Sequence, residues 1–149
     1  KSSWAANHPQ KLPIASSDSY IEKIAAKKKI SYEEAFKQNY DAAVEDMKKQ
    51  VGKLTKKPKD FIWDQVNLKR EERVQIHQRL DPTHRVVYVV FKVPLSECLC
   101  RHSVRAREGG RVVDEARIRK LAEMTRFPEA GKEPFFKTIA LTHPDWGKK

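Results

Sequence analysis

Residues 85–93 form the sequence RVVYVVFKV, a nearly continuous run of β-branched and aromatic side chains. Such a run predicts a β-strand that is covered on both faces, as the strands of parallel sheets are. Pro94 ends this strand, because proline cannot donate to a sheet. Helical patterns at 69–80 and 95–107 stand on either side of it. The stretch therefore predicts a strand between two helices, which is the repeating unit of α/β proteins.

The same alternation of strands and helices continues in both directions along the chain. A capping box of Ser31 and Glu34 opens a helix that we expect to end near Gly52. Further strands are predicted at 12–15, 60–64 and 135–141, and further helices at 19–27 and at 114–124. Gly109 and Gly110 are expected to break the helix at 95–107, and Asp114 to cap the one that follows. This order predicts one α/β domain over residues 1–149, with a mostly parallel sheet that is flanked by helices.

Charge and composition restrict the class of partner. The 149 residues include 31 Lys and Arg against 20 Asp and Glu, so the net charge is +11. A field of that sign attracts polyanions such as nucleic acid or nucleotide phosphate, although a solvated lysine-rich surface gives the same composition. No apolar run approaches the roughly 20 residues of a membrane span, so no membrane partner is expected. Cys98 and Cys100 match no redox or zinc spacing, which favours a cytoplasmic, reducing location.

Acidic residues follow two of the predicted strands. Asp18 comes shortly after the strand at 12–15, and Asp64 is the last residue of the strand at 60–64. Ligands of open α/β sheets lie at the carboxyl ends of the strands, so these carboxylates predict a binding site. Two turn-forming aspartates are the structural alternative. The chain also starts with Lys1 and Ser2, which form the ending of a GxxxxGK[ST] phosphate loop without its glycines.

Four short blocks occur in order along nearly the whole chain. They are KSSWA at 1–5, SDSY at 17–20, DQVNL at 64–68 and RHSVRAREGGRVVDEARI at 101–118. Together they resemble the 5′-hydroxyl polynucleotide kinase family of P-loop proteins. The resemblance implies a P-loop NTPase/kinase-like α/β fold with an Arg-bearing helical lid. This sequence lacks the first strand of such a fold and the glycines of its phosphate loop.

The resemblance also implies that ATP and Mg²⁺ are the cofactors. Lys1 would contact the β- and γ-phosphates of ATP, and the Ser2 hydroxyl would bind Mg²⁺. Asp64 would orient Mg²⁺ or its water ligands. Asn67 would order the nucleotide site or the substrate.

The implied reaction is transfer of the γ-phosphate of ATP to the 5′-hydroxyl end of DNA or RNA. Asp18 matches the general base that takes the proton from the attacking hydroxyl. Arg105, in the lid, matches the arginine that stabilises the transferring phosphoryl group. Arg101 lies four residues earlier, on the same helical face, and is a second candidate for that role.

Two other functions are compatible with these residues. The chain could phosphorylate a small-molecule acceptor, or it could be a degenerate kinase fold that binds RNA in a ribonucleoprotein particle. Asp18 and Arg105 favour an enzyme. The lack of the loop glycines and the net charge of +11 favour the binding module.

Overall fold

The computed structural model describes residues 2–57, 59–135 and 137–142. The chain divides into two compact units, Lys1–Gln65 and Val66–Lys149. The first unit contains α1 (Ser2–Ala6), β1 (Ile14–Ser16), α2 (Ser17–Lys28), α3 (Tyr32–Leu54) and β2 (Ile62–Asp64). The second contains α4 (Arg70–Gln78), β3 (Val87–Lys92), α5 (Leu95–Arg107), α6 (Glu115–Met124) and β4 (Lys137–Thr142). Every predicted strand and helix is thus present, within a few residues of its expected bounds.

The described strands form two parallel pairs. In the first unit β1 pairs with β2, and in the second unit β3 pairs with β4. The expected parallel direction is confirmed, but the pairs are separate two-stranded sheets among the described residues. The expectation that 85–93 is covered on both faces is wrong, because the interior of β3 is only half-buried and Val87 is exposed.

Packing of α2 against α3 builds the core of the first unit. Lys29 adopts a left-handed conformation (φ 53°) that ends α2, and its N–H donates to the last carbonyls of that helix. The capping box predicted at Ser31 and Glu34 is present and starts α3. The core cluster of Ile21, Ala35 and Ala43 lies between the two helices. Small alanine side chains let the two helices approach closely. The left-handed residue Lys29 and the cap at Ser31 fix where α3 begins.

Two features of α3 depart from the expectation. The backbone leaves helical geometry at Asn39, whose side-chain amide donates to the carbonyl of Ala35 at 2.9 Å, and the helix is kinked there. The helix then continues past Gly52 and ends at Leu54, so the prediction that Gly52 caps it is wrong. Met47 and Val51 are buried, so the helix packs one face against the core up to the residue before Gly52.

Gly52 gives a direct test of this arrangement. A Cβ atom at Gly52 would meet no described heavy atom within 4 Å, and its backbone lies inside a helix. We therefore expect Gly52→Ala to raise the free energy of unfolding by about 0.5–1 kcal/mol, because alanine loses less backbone entropy on folding. Urea unfolding followed by circular dichroism measures the change. The matched Gly109→Ala should destabilise, because Gly109 has a φ of 74°. A loss of stability in Gly52→Ala would contradict the assignment of this residue to a regular helix.

A buried ion pair organises the second unit. Arg73 of α4 is only 2% exposed and donates from Nε and Nη2 to the two carboxylate oxygens of Glu133, at 2.7 and 2.6 Å. Its Nη1 donates to the backbone carbonyls of Asn67, Leu68 and Arg126. One guanidinium therefore joins the segment before α4, the segment after α6 and the loop before β4.

The charges of this pair stabilise one another. Hydrogen bonds from Arg73 hold the pKa of the Glu133 carboxyl below its ordinary value of 4.5, although burial opposes the shift. The same hydrogen bonds raise the pKa of Arg73. Because the pKa of Glu133 is lowered by folding, its contribution to stability is present above about pH 4.5 and is lost as the pH falls through the folded-state value.

We expect Glu133→Gln to lower the free energy of unfolding by about 3–5 kcal/mol at pH 7, because it leaves a buried guanidinium without its carboxylate. The difference from the parent should shrink as the pH falls below about 4.5, where the parent also loses the charge. Urea unfolding at pH 7, 5 and 3.5 measures both effects. Glu115→Gln is the matched control, because the Glu115–Arg119 pair is 4.0 Å apart and half exposed. A pH-independent difference in Glu133→Gln would contradict the charged pair.

Two features of the described residues complete the fold. Cys98 and Cys100 are free; Cys98 is half-buried and Cys100 is exposed. Within the described ranges, no helix is both long and apolar enough to cross a bilayer.

Candidate active site

The first unit places two predicted site residues at one edge of its sheet. In the parallel register of β1 and β2, Ser16 is the partner of Asp64, so both strands end at the same level. Ser16 is also the N-cap of α2, and Asp18 is the second residue of that helix. Asp64 therefore ends one strand of the parallel pair and Asp18 follows the end of the other, which is where ligands of such sheets bind.

Hydrogen bonds and burial stabilise this edge of the sheet. Ser19 donates from its hydroxyl to the carbonyl of Ser16 at 2.8 Å, which stabilises the first turn of α2. Ala15 is fully buried. The carboxylate of Asp18 accepts a hydrogen bond from the hydroxyl of Tyr32 at 3.0 Å, and both side chains are partly buried. The side chain of Asp18 is therefore fixed by α3 as well as by its own helix.

The residues predicted to hold Mg²⁺ belong to α1 and β2, which are in contact. Ser2 is exposed at the start of α1, and Asp64 is half-buried at the end of β2. Lys1, predicted to contact the phosphates, lies outside the described residues. No three His, Cys, Asp or Glu side chains within the described ranges form a group that could hold a metal. One hydroxyl and one carboxylate nevertheless fit Mg²⁺, which typically takes one or two carboxylates and completes its shell with water and substrate phosphates.

The candidate lid in the second unit consists of α5 and the turn that follows it. Arg101 and Arg105 both lie on α5, as predicted, but they have different surroundings. Arg101 donates from Nε to the carboxylate of Glu97 at 2.6 Å, so much of its charge is balanced within the helix. Arg105 is exposed.

The turn after α5 fits closely against the stem of Arg105. Gly109 has a φ of 74°, and the N–H of Gly110 donates to the carbonyl of Arg105 at 2.9 Å. A Cβ atom at Gly110 would lie 2.6 Å from Cγ of Arg105, so only glycine allows the chain to pass here without displacing that side chain. The predicted helix break at Gly109 and Gly110 is confirmed.

His102 ties the same turn to α5. It is buried, and its Nε2 accepts a hydrogen bond from the N–H of Val113 at 3.0 Å. Asp114 then caps α6 by accepting from the N–H of Ala116, as its position in the sequence predicted. The segment from 108 to 114 is therefore anchored at both ends.

Asn67 lies in the second unit and is half-buried. Its backbone carbonyl accepts a hydrogen bond from Nη1 of Arg73 at 3.1 Å. The backbone at Asn67 is thus held by the buried ion pair. The predicted role of its side chain in the nucleotide site remains a prediction.

Three residues of structural importance were not recognised in the sequence. In the sequence, Tyr32 is one of several aromatic residues at helical spacing, Arg73 is one charge in a polar helix, and His102 is an isolated histidine. In the sequence, the only signal for Tyr32 is its place directly after the N-cap Ser31. The sequence gives no signal for the partner of Arg73, because Glu133 lies 60 residues away.

Parallel strands that alternate with helices, with carboxylates at their carboxyl ends, define an α/β protein with a candidate ligand site at the edge of a sheet. Residues 1–128 match the model of a family described as an AAA domain, and since this match covers most of the chain, the protein belongs to that family. A search of curated proteins and a search of solved structures each found no match. Family membership supports nucleotide binding and a kinase-like function, and it leaves the acceptor open.

Proposed function

We propose that this protein transfers the γ-phosphate of ATP to the 5′-hydroxyl end of DNA or RNA. The observation that carries the proposal is the register of β1 and β2, which brings Asp18 and Asp64 to one edge of the sheet. Membership of the AAA-domain family supplies the nucleotide-binding context for these carboxylates. The four sequence blocks that resemble polynucleotide kinases supply the choice of acceptor.

In this proposal Asp18 is the general base. A carboxylate that follows the end of a parallel strand can accept the proton of the attacking 5′-hydroxyl, which becomes the nucleophile. The oxygen of that hydroxyl forms a bond to the γ-phosphorus as the bond to the β–γ bridging oxygen breaks, and ADP leaves. The exposed guanidinium of Arg105 supplies planar donors for the transferring phosphoryl oxygens.

Ser2 and Asp64 are the residues that would hold Mg²⁺. When it is bound, Mg²⁺ neutralises charge on the phosphates of the nucleotide. The contact of α1 with β2 supports a shared role for these two residues. Asn67 and Lys1 remain the proposed nucleotide contacts.

The proposal is tested by Asp18→Asn in the full-length protein. The substitution keeps the size of the side chain and an oxygen that can accept from Tyr32, so melting temperature and ATP affinity should be nearly unchanged. The rate of 5′-phosphorylation should fall on the order of 10²–10⁴-fold, which is the usual contribution of a positioned base. Transfer of labelled γ-phosphate to 5′-hydroxyl oligonucleotides of DNA and RNA measures it.

Asp41→Asn is the matched control, since this substitution makes the same chemical change at an exposed position of α3. It should transfer phosphate at the parent rate. If Asp18→Asn also does so, the assignment of the base is wrong. If the parent phosphorylates a nucleoside or another small alcohol but no oligonucleotide, the acceptor class is wrong and the phosphotransferase activity stands.

Asp64→Asn should behave differently from Asp18→Asn. Because Asp64 is proposed to orient Mg²⁺ or its waters, the loss of its charge should raise the Mg²⁺ concentration that gives half-maximal rate, and added Mg²⁺ should partly restore the rate. A titration of the transfer rate with Mg²⁺ for the parent, Asp64→Asn and Asp18→Asn measures this. An equal Mg²⁺ dependence of all three proteins would contradict the role of Asp64.

A second candidate function, a nucleic-acid-binding module without transfer activity, is favoured by the net charge of +11. Lysines at 27–29 and 56–57 are exposed and could contact phosphates. Such binding would weaken steeply with salt and show little sequence preference. Salt-dependent binding of oligonucleotides, with no transfer to any acceptor, would support this function over the kinase.

A further inference from the structure

We infer that Tyr32 is a positioning residue for the general base Asp18, and that it acts by fixing the carboxylate through its hydroxyl. The inference rests on the proposed function, because it assigns to Tyr32 a part in the reaction that Asp18 would catalyse. It adds a residue that lies outside all four of the sequence blocks that suggested the activity.

The contact between the two side chains is specific. The phenolic O–H of Tyr32 donates to Oδ1 of Asp18 at 3.0 Å, across 14 residues of sequence, and the pair is partly buried. A hydrogen bond to a carboxylate is stronger than one between neutral groups, and partial burial reduces competition from water. The bond therefore restricts the rotation of the Asp18 side chain.

Tyr32 is itself held rigidly. It is the first residue of α3, directly after Ser31, whose capping box with Glu34 sets the start of the helix. Its ring packs against the core cluster and stacks on Phe36, with centroids 6.1 Å apart and planes inclined by 30°. The position of the hydroxyl is thus determined by the cap on one side and by the core on the other.

A base on the first turn of α2 needs such support. Asp18 is the second residue of its helix, and an aspartate there can adopt several rotamers or turn back to cap the N-terminus. Transfer requires the carboxylate to stay within hydrogen-bond reach of the attacking hydroxyl, and small displacements are costly in rate. The bond from Tyr32 selects one orientation before the acceptor arrives.

The test is Tyr32→Phe in the full-length protein, which removes the hydroxyl and keeps the ring. We expect kcat for 5′-phosphorylation to fall on the order of 10-fold, as for the loss of one hydrogen bond to a charged group, with KM for ATP unchanged. Tyr40→Phe is the matched control, because Tyr40 lies on the same helix, its ring packs on Phe36, and it is 50% exposed. It should keep the parent kcat.

Combination with Asp18→Asn separates positioning from an independent effect. If Tyr32 acts through Asp18, then Tyr32→Phe should cause no further loss of rate in the Asp18→Asn background. The same fold-loss in both backgrounds would overturn the inference. Parent rate in Tyr32→Phe, together with a slow Asp18→Asn, would also overturn it while the proposed function stands. Parent rate in Asp18→Asn would overturn the proposed function itself.

A further variant controls for stability. Val51→Ala removes buried methyl groups near the other end of α3 and leaves the Tyr32–Asp18 bond and the stack on Phe36 unaltered. Melting curves of both variants are compared. If Tyr32→Phe is less stable than the parent, Val51→Ala should match its loss of melting temperature and keep the parent kcat. A loss of kcat in Val51→Ala as large as that in Tyr32→Phe would show that lower stability alone accounts for the effect and would overturn the inference.

Discussion

The candidate site depends on the parallel pairing of β1 with β2 in a single register. Ile14, Ala15 and Ser16 pair with Ile62, Trp63 and Asp64, and the N–H of Ile62 donates to the carbonyl of Pro13 at 2.8 Å. A shift by one residue would turn each side chain to the opposite face of the strand. Ala15 and Ser16 point to opposite faces and are both buried, so the carboxyl end of β1 is covered on both sides. The same packing that stabilises the strands therefore sets the level at which the two carboxylates stand.

The direct passage from β1 into α2 adds a second constraint. Ser16 ends the strand and is also the N-cap of the helix, so no loop lies between them. Asp18 consequently has little backbone freedom relative to the sheet. The hydrogen bond from Tyr32 then ties this turn to α3, which packs against β1 and α2. Contacts within the first unit thus fix β1, the start of α2 and the side chain of Asp18.

The two units are stabilised by different kinds of buried residue. The described apolar residues that are fully buried all belong to the first unit: Ala5, Ala15, Ile21, Ala35, Ala43, Met47 and Val51. The buried residues described in the second unit are polar or charged: Arg73, His102 and Glu133. Apolar burial is tolerant of small shifts, whereas the guanidinium of Arg73 requires five acceptor contacts in fixed directions. The second unit should therefore be the more sensitive of the two to acid and to substitution of a single charge.

This difference also explains how far the sequence could predict the structure. Periodicity and capping residues are local signals, and they located the helices, the strands, the cap at Asp114 and the carboxylates at the strand ends. The same local signals fail at Gly52, because glycine is common at helix ends but here lies inside α3. The bonds from Tyr32 to Asp18 and from Arg73 to Glu133 join residues 14 and 60 positions apart. Such partners are chosen by tertiary packing, which no local pattern specifies.

The two arginines of α5 show the same principle within the candidate lid. Their spacing of four residues makes them equivalent in the sequence, yet Glu97 lies one helical turn before Arg101 and balances its charge. The Nε of Arg101 is thus already engaged within its own helix. Arg105 is exposed, and its stem is confined by Gly110, which leaves no space for a side chain. Of the two arginines, Arg105 is therefore the one whose position is restricted while its charge stays accessible.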